Sequence, residues 1–207
     1  MMNSIERKKH WEAIYTKKKP EEVSWTQEKP SLSLSIIQAL ELPKDAPIID
    51  VGGGESHLVD HLLALGYTDI SVLDVSAEAL ARSKQRLGEQ SKKIEWIVAD
   101  ITAFQPKRDY AFWHDRAVFH FLTEDKDIQF YAEMVRNCVK DHLLISTFSL
   151  DGPLKCSGLP ISQYSEQSLA KIVSPSFNLI KSEEEIHITP FKTTQAFLYC
   201  LFQRIIN

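Results

Sequence analysis

Glycine is scarce in this chain, at 7 of 207 residues, about half the usual ~7%. Gly-rich fibrous and low-complexity classes are excluded on that count. Cysteine is scarce and scattered: Cys138, Cys156 and Cys200 stand apart, with no CxxC pair. Such a set supplies neither a disulfide framework nor zinc-ligand spacing, so no metal is expected. A reducing, cytoplasmic setting is the default expectation. Long apolar runs are missing as well. The longest, Ala196–Phe202, has seven residues, whereas a membrane-spanning helix needs roughly 18 or more. No apolar stretch follows the N-terminal charges, so no signal peptide is visible. Basic excess is absent too. Lys+Arg is 24 against Asp+Glu 28, a formal charge of -4, with a pI of about 6.0. Nonspecific nucleic-acid binding is therefore not expected. The one basic stretch, Arg7-Lys8-Lys9 with Lys17-Lys18-Lys19, reads either as a solvated helix face or as a landing patch for an acidic partner.

What is present is ordinary for a soluble globular chain: 43% hydrophobic and 25% charged residues, which excludes disordered, collagen-like and coiled-coil classes. From residue 46 onward, short apolar runs alternate with amphipathic stretches. Pro47–Val51 is β-branched and closed by glycines, so it reads as a buried strand. Ser56–Leu65 has leucines at helical spacing, and Gly66 stops it. Ile70–Leu73 is a second strand. Ser76 caps the next helix, which ends before Gly88. Ile94–Ala99 and Tyr110–His114 read as strands three and four. Thr123 is the expected cap of a helix that carries Ile128, Tyr131, Val135 and Cys138 on one face. His142–Phe148 reads as a fifth strand. This alternation predicts an α/β fold with βαβ units and a parallel sheet.

The two ends differ. Residues 5–17 form an amphipathic helix, and residues 18–31, with Pro20 and Pro30, a loop. Ser149–Gln163 holds Gly152-Pro153, Gly158 and Pro160, and is expected to be a long loop of the kind that serves as a lid. Ser165–Val173 is a short capped helix. Asn178–Thr189 and Ala196–Arg204 pair most simply as an antiparallel hairpin.

Three of the seven glycines stand together, Gly52-Gly53-Gly54, between the first strand and its helix. Glycine lets a backbone approach a ligand, and a helix N-terminus offers unpaired N–H donors. Gly52 and Gly54 are the expected approach positions, with Gly53 less constrained. A dinucleotide site wants GxGxxG, with an acid ~20 residues on. Here the third glycine is missing, and Asp50 and Glu55 flank the loop, where they would repel a pyrophosphate. S-adenosylmethionine (SAM) carries no phosphate, and its sulfonium and amino groups are cationic. Asp50 suits its aminopropyl end. Asp74, twenty residues after Gly54, suits the two ribose hydroxyls. Asp100 suits the adenine amino group, with Val75 and Ile101 against the ring. All three acids end strands, where such sheets bind ligands.

With Ile48-Ile49-Asp50-Val51-Gly52-Gly53-Gly54, Val72-Leu73-Asp74-Val75-Ser76 and Ile97-Val98-Ala99-Asp100-Ile101, the chain resembles the class I SAM-dependent methyltransferase family over residues 44–205. The resemblance implies a three-layer Rossmann-like methyltransferase fold: a mostly parallel seven-stranded sheet with an antiparallel C-terminal hairpin. It implies one domain over 1–207, with 44–205 as catalytic core and 1–30 as an N-terminal helix and lid segment. SAM is the implied cofactor. In relatives, the end of strand four lines the cofactor and acceptor pocket, which places His114 at SAM. Trp11, Tyr15 and Trp25 resemble the aromatic lid of the thiopurine and tellurite-resistance types. There they would cover the sulfonium by cation–π attraction, or they are ordinary packing of an N-terminal helix.

The acceptor is less legible. Methyl transfer is an in-line displacement that mainly needs alignment and exclusion of water, so no fixed catalytic triad is expected. Arg116, if free, suits a carboxylate. Alternatively, Asp115 and Arg116 pair with each other. His120 is either a base or a packing histidine. Tyr164 and His187, with Cys156 nearby, fall around the same mouth. The expected acceptor is a small molecule, with a protein lysine as the alternative. A non-catalytic SAM-binding module and an NAD-dependent oxidoreductase are the rivals from other classes.

Overall fold

The three short runs at 48–51, 70–74 and 94–98, rich in β-branched residues, each become a strand. In the computed structural model, residues 2–206 are described. The chain divides into two compact units, one ending at Phe104 and the other beginning at Gln105.

In the first unit, helix α1 (Ser4–Lys17) opens with a capping box between Asn3 and Glu6. A single 3-10 turn at Pro20–Glu22 follows. Helix α2 (Ser31–Ala39) was not foreshadowed by the pattern, and it buries Leu34, Ile36 and Ile37. Then come β1 (Ile48–Val51), α3 (Leu58–Ala64), β2 (Ile70–Asp74), α4 (Ala77–Leu87) and β3 (Ile94–Val98). Ser76 caps α4 through the N–H of Ala79, as its residue type predicts. The three strands run parallel in the order β3-β2-β1. Every residue of β1 and β2 is buried. That is why both read as mostly apolar runs, and why an acid within them needs a reason.

The second unit contains β4 (Tyr110–Arg116), α5 (Asp125–Cys138), β5 (Val139–Phe148), β6 (Lys155–Cys156), β7 (Leu159–Pro160), α6 (Glu166–Val173), β8 (Phe177–Ile188) and β9 (Thr194–Arg204). Four of its strands follow the order β4-β5-β9-β8, which completes seven strands in the main sheet. β4 and β5 are parallel; β5–β9 and β8–β9 are antiparallel. The fold is thus α/β, mostly parallel, with the expected C-terminal hairpin.

Two local expectations need correction. Glu124, not Thr123, holds the N-cap position of α5, without a side-chain cap; Asp125 and Asp127 supply negative charge to the first turn instead. The 149–163 segment is not structureless. β6 and β7 form a small ribbon joined by Ser157 (φ 51°) and Gly158 (φ 77°). Two positive φ values in a two-residue hairpin are the mark of a type I′ turn.

Candidate functional site

The first unit brings the glycine loop and three strand-end acids together. Asp50 and Asp74 are buried at the ends of β1 and β2, and Asp100 is buried just after β3. The loop is tied back to β2 by the N–H groups of Gly52 and Gly53, which donate to the Leu73 carbonyl at 2.7 and 3.2 Å. Ser83 Oγ of α4 donates to the Gly54 carbonyl at 2.7 Å.

Gly53 is more constrained than its place between two other glycines suggests. A Cβ there would meet Val72 Cγ1 at 2.6 Å and Asp50 Oδ2 at 2.7 Å. Both neighbours are buried in the sheet, so neither can yield cheaply. At Gly54 (φ +31°) a Cβ would strike Asp74 Oδ2 at 2.7 Å and crowd the Tyr15 hydroxyl at 3.1 Å. The loop backbone therefore lies directly on two carboxylates. Gly53→Ala is expected to cost about 1–3 kcal/mol by overpacking and to displace the Asp50 carboxylate. Thermal denaturation and SAM titration of that variant read both effects.

Asp74 Oδ1 accepts the Ser76 N–H at 2.8 Å. Burial pushes its pKa up to about 7, and the charges of Asp50 and Glu12 push the same way, against the N–H groups of Ser76 and Gly54. Glu12 is a site residue that the local sequence does not announce. From α1 it accepts Ser76 Oγ–H and the N–H of Ala77, both at 2.8 Å, and the N–H of Glu78 at 3.1 Å. Burial opposes its charge. Its bonds with Ser76, Ala77 and Glu78, with the Lys8 charge, still hold its pKa below the usual value.

Arg7 was likewise hidden. Its Nε donates to Asp100 Oδ2 at 2.8 Å and its Nη2 to Thr102 Oγ1 at 2.5 Å. Asp100 Oδ1 accepts both the N–H and the hydroxyl of Thr102 at 2.9 Å. Burial would raise the Asp100 pKa, but the Arg7 and Thr102 bonds hold it low. Ile101 is buried beside it, and Val75 is half-buried after Asp74. Glu55 does not join the acids of the crevice in the same way: Arg82 Nη1 of α4 meets it at 3.3 Å.

The three N-terminal aromatics form one cluster. The Trp11 and Trp25 rings are 5.6 Å apart edge to face, and Tyr15 lies 6.3 Å from Trp25 and 6.4 Å from Trp11. Tyr15 joins this cluster to the glycine loop, because its hydroxyl sits over Gly54.

These features test which ligand the loop fits. The charges of Asp50 and Glu12 lie close enough to Asp74 to raise its proton affinity. A pyrophosphate would add to that repulsion, whereas a sulfonium and an ammonium would relieve it. The residues therefore fit SAM. Asp74 and Asp100 would hold its ribose and adenine, and Asp50 its aminopropyl end.

The second unit holds the other predicted residues. His114 is buried within β4, opposite Leu144. Asp115 and Arg116 lie inside β4, not beyond it, and go to different partners. Asp115 Oδ1 accepts the N–H groups of Val118 and Phe119 at 3.1 Å, and Oδ2 accepts the Tyr131 hydroxyl at 2.8 Å. Trp113 Nε1 in turn donates to that hydroxyl at 3.0 Å. Arg116 Nε donates to Tyr199 Oη at 2.9 Å, and its guanidinium lies 4.6 Å from the Phe197 ring centre.

His120 is wholly buried and stacks on Phe148 at 4.6 Å. Burial, then the Arg116 charge, push its pKa down to about 3. At neutral pH it is an uncharged ring and a feeble base. His187 is buried edge-on to Phe197 at 6.1 Å, and the same ring lies 6.5 Å from His120. Tyr164 is buried, with its ring 5.2 Å from Phe119. Cys156 is buried in the small ribbon. Among the described residues, no group of three or more His, Cys, Asp or Glu side chains could hold a metal, and no helix is long and apolar enough to cross a membrane.

Residues 48–141 match the model of a methyltransferase domain family. No curated protein matches the chain in sequence. Among solved structures, a SAM-dependent methyltransferase from Anabaena variabilis is 12% identical, with 99% of this chain and 96% of that one covered and a TM-score of 0.76. The 1,6-didemethyltoxoflavin N1-methyltransferase of Burkholderia thailandensis, solved with 1,6-didemethyltoxoflavin and S-adenosylhomocysteine, is 16% identical; 100% and 92% are covered, at a TM-score of 0.69. The N-methyltransferase NodS of Bradyrhizobium japonicum, solved with S-adenosylhomocysteine, is 15% identical over 87% and 90%, at 0.65. Residues 48–141 thus match a methyltransferase-domain model, and the chain has the Rossmann-like fold of SAM-dependent methyltransferases.

Proposed function

We propose that this methyltransferase moves the methyl group of SAM to a small-molecule acceptor. One observation carries the donor half: the glycine loop lies on Asp50 and Asp74, in contact with buried carboxylates. When bound, SAM supplies a methyl group on a positively charged sulfur. The chain's own residues bind, orient and exclude water. Asp74 accepts the ribose hydroxyls, Asp100 the adenine amino group, and Asp50 the amino end. Gly52 and Gly54 permit the close approach. Trp11, Tyr15 and Trp25 close over the sulfonium, with their ring faces favouring a cation.

The small-molecule reading draws support from the toxoflavin-type neighbour, whose acceptor is small. A glycopeptide N-methyltransferase is also similar in fold, which keeps a peptide acceptor as the second reading. Arg116, His120, Tyr164 and His187 are the acceptor-side candidates. Asp115 and Tyr131 give them a fixed frame.

Isothermal titration with SAM and with NAD tests the donor half. SAM is expected to bind and NAD not; the reverse overturns the reading. Removal of residues 1–28 tests the lid. It takes away Arg7, Glu12 and all three aromatics, so SAM retention and turnover are expected to fall at least tenfold. Full activity of the truncated chain would sink the lid.

A further inference from the structure

Strand β8 is the outer edge of the seven-stranded sheet. It is 12 residues long, and only Phe177 and His187 along it are buried. The loop after it fixes which way its backbone groups point. Thr189 N–H donates to the Thr193 carbonyl at 2.8 Å, and the Thr189 carbonyl accepts the Lys192 N–H at 2.9 Å, with Lys192 at φ 61°. That is a three-residue hairpin loop closed by a hydrogen-bonded pair. Hydrogen-bonded and non-hydrogen-bonded pairs then alternate along the antiparallel ladder. In the observed register, His187, Glu185 and Glu183 turn their backbone groups toward β9. Those of Ser182, Glu184, Ile186 and Ile188 point off the sheet, where no backbone hydrogen bond among the described residues meets them.

The side chains of these four residues share one face. Ile186 and Ile188 are 60% and 69% exposed. Beside Ser182 and Glu184 lies a cavity of about 370 Å³, formed by β8, β9, the start of α6 and the segment after β5. Leu150 and Leu198 give it apolar surface. Asp151, Glu166, Glu183 and Glu184 give it charge, and no Lys, Arg or His lines it. Lys181 pairs with Glu183 at 2.8 Å, and Ser182 Oγ donates to Glu166. Glu184 and Asp151 have no ion-pair partner among the described residues.

Charge commonly guards an edge strand against unwanted pairing. The Glu183-Glu184-Glu185 run does guard the middle of β8. A guard does not account for two exposed isoleucines directly beyond it. Acids, isoleucines and free backbone groups together select one kind of incoming strand: a cation opposite Glu184 and aliphatic residues opposite Ile186 and Ile188. Opposite charges attract across a strand pair and like charges repel, so a second copy of β8 centred on its acidic run fits badly. Strand addition draws affinity from the main chain and specificity from alternate side chains, and this edge offers both.

We propose that the free edge of β8 binds an extended basic segment of a partner protein as an antiparallel eighth strand, with a lysine or arginine side chain reaching past Glu184 to the cavity. SAM and the methyl acceptor play no part in this contact, so it stands or falls apart from the methyltransferase reading.

The probe is the capped peptide acetyl-Val-Thr-Val-Thr-Lys-Thr-Lys-amide, whose first lysine falls opposite Glu184 when its first valine is opposite Ile188. It is titrated into the full chain by calorimetry, beside a form with glutamate for both lysines and beside 1,5-diaminopentane. The lysine peptide is expected to bind about tenfold tighter than either, and Glu184→Lys to weaken it about tenfold, the scale of reversed cross-strand charge. Both positions are exposed, so Ile186→Ser and Glu184→Lys leave the fold intact. Ile186→Ser is expected to weaken the peptide about threefold. N-methylation of the second valine, whose N–H faces the edge, is expected to abolish binding; N-methylation of the threonine after it, whose N–H faces away, is expected to preserve it. Hydrogen exchange at the amides of Glu184 and Ile186 should slow when the peptide binds. Absence of saturable binding overturns the proposal. So does equal affinity for the glutamate peptide or the diamine, equal tolerance of the two N-methyl groups, or unchanged exchange at both amides. Self-association of the chain that the peptide does not disperse overturns it in favour of a second copy.

Discussion

Asp74→Asn is expected to weaken SAM binding by about a hundredfold. The carboxylate at the end of β2 is buried against the glycine loop, and hydrogen bonds to a charged group are worth about 1.5–3 kcal/mol each. Two ribose hydroxyls lose their charged acceptor, while the amide oxygen still accepts the Ser76 N–H that Asp74 Oδ1 holds at 2.8 Å. The fold therefore survives a loss of about 3 kcal/mol in ligand affinity, which is roughly two decades in Kd. Titration calorimetry at fixed pH reads it. Unchanged affinity would remove Asp74 from the donor site.

The same residue predicts a pH dependence. Its pKa stands at about 7 in the folded chain, through burial first and then the Asp50 and Glu12 charges. A cationic ligand favours the carboxylate, so binding expels a proton and SAM affinity rises between pH 6 and pH 8, levelling above the pKa. In the ligand-free protein the sign is opposite. A folded pKa raised above the unfolded value contributes stability that is complete below about pH 4 and is lost as pH rises through about 7. Asp74→Asn should therefore gain thermal stability relative to the unsubstituted chain as pH rises from 5 to 8. It should also flatten the pH dependence of SAM binding. Proton release measured in buffers of different ionisation enthalpy checks the count.

The second large effect falls on the other unit. Asp115→Ala is expected to destabilise the chain by about 4 kcal/mol, because three donors lose one acceptor in a fully buried place. These are the N–H groups of Val118 and Phe119 and the Tyr131 hydroxyl. At this chain length that is about 10 °C in Tm. Tyr131→Phe removes one of the three bonds and also the acceptor of the Trp113 Nε1–H, and should cost about 1–3 kcal/mol. Burial pushes the Asp115 pKa up to about 6, even with these bonds opposing it. Its charged form is thus tolerated and not favoured, and Asp115→Asn should cost far less than Asp115→Ala. Equal costs for the two would show that the carboxylate's geometry does not organise the turn after β4.

Much of this molecule is legible in order along the chain. The β1 and β2 runs are fully buried, so they are mostly apolar up to Asp50 and Asp74, with Ser71 the one earlier polar residue, and the strand–loop–helix pattern follows. Ser76, Gly88 and Ser165 cap helices by rules that need only neighbours. The hairpin of β8 and β9 is similarly local. α2 escaped because its Ser-rich sequence, Ser31-Leu32-Ser33-Leu34-Ser35, alternates like a strand and fills its helix only through burial of Ile36 and Ile37.

The glycine loop shows where local reading ends. Its composition and the order of Asp50, Asp74 and Asp100 are properties of the sequence, and they sufficed to point to a cationic ligand without phosphate. That Gly53 has no room for a Cβ depends on Val72, nineteen positions away, lying across β1 and β2 in register. That Arg7 reaches Asp100 and Glu12 caps α4 depends on contacts across 93 and 64–66 positions. Nothing within a turn of Arg7 or Glu12 announces either. Periodicity and capping are nearest-neighbour physics and can be read from the chain. Steric exclusion, desolvation and long-range ion pairing arise only when distant segments share one interior. The tertiary structure alone decided that Asp74 titrates near neutrality, that Asp115 serves its own turn, and that His120 is an uncharged ring.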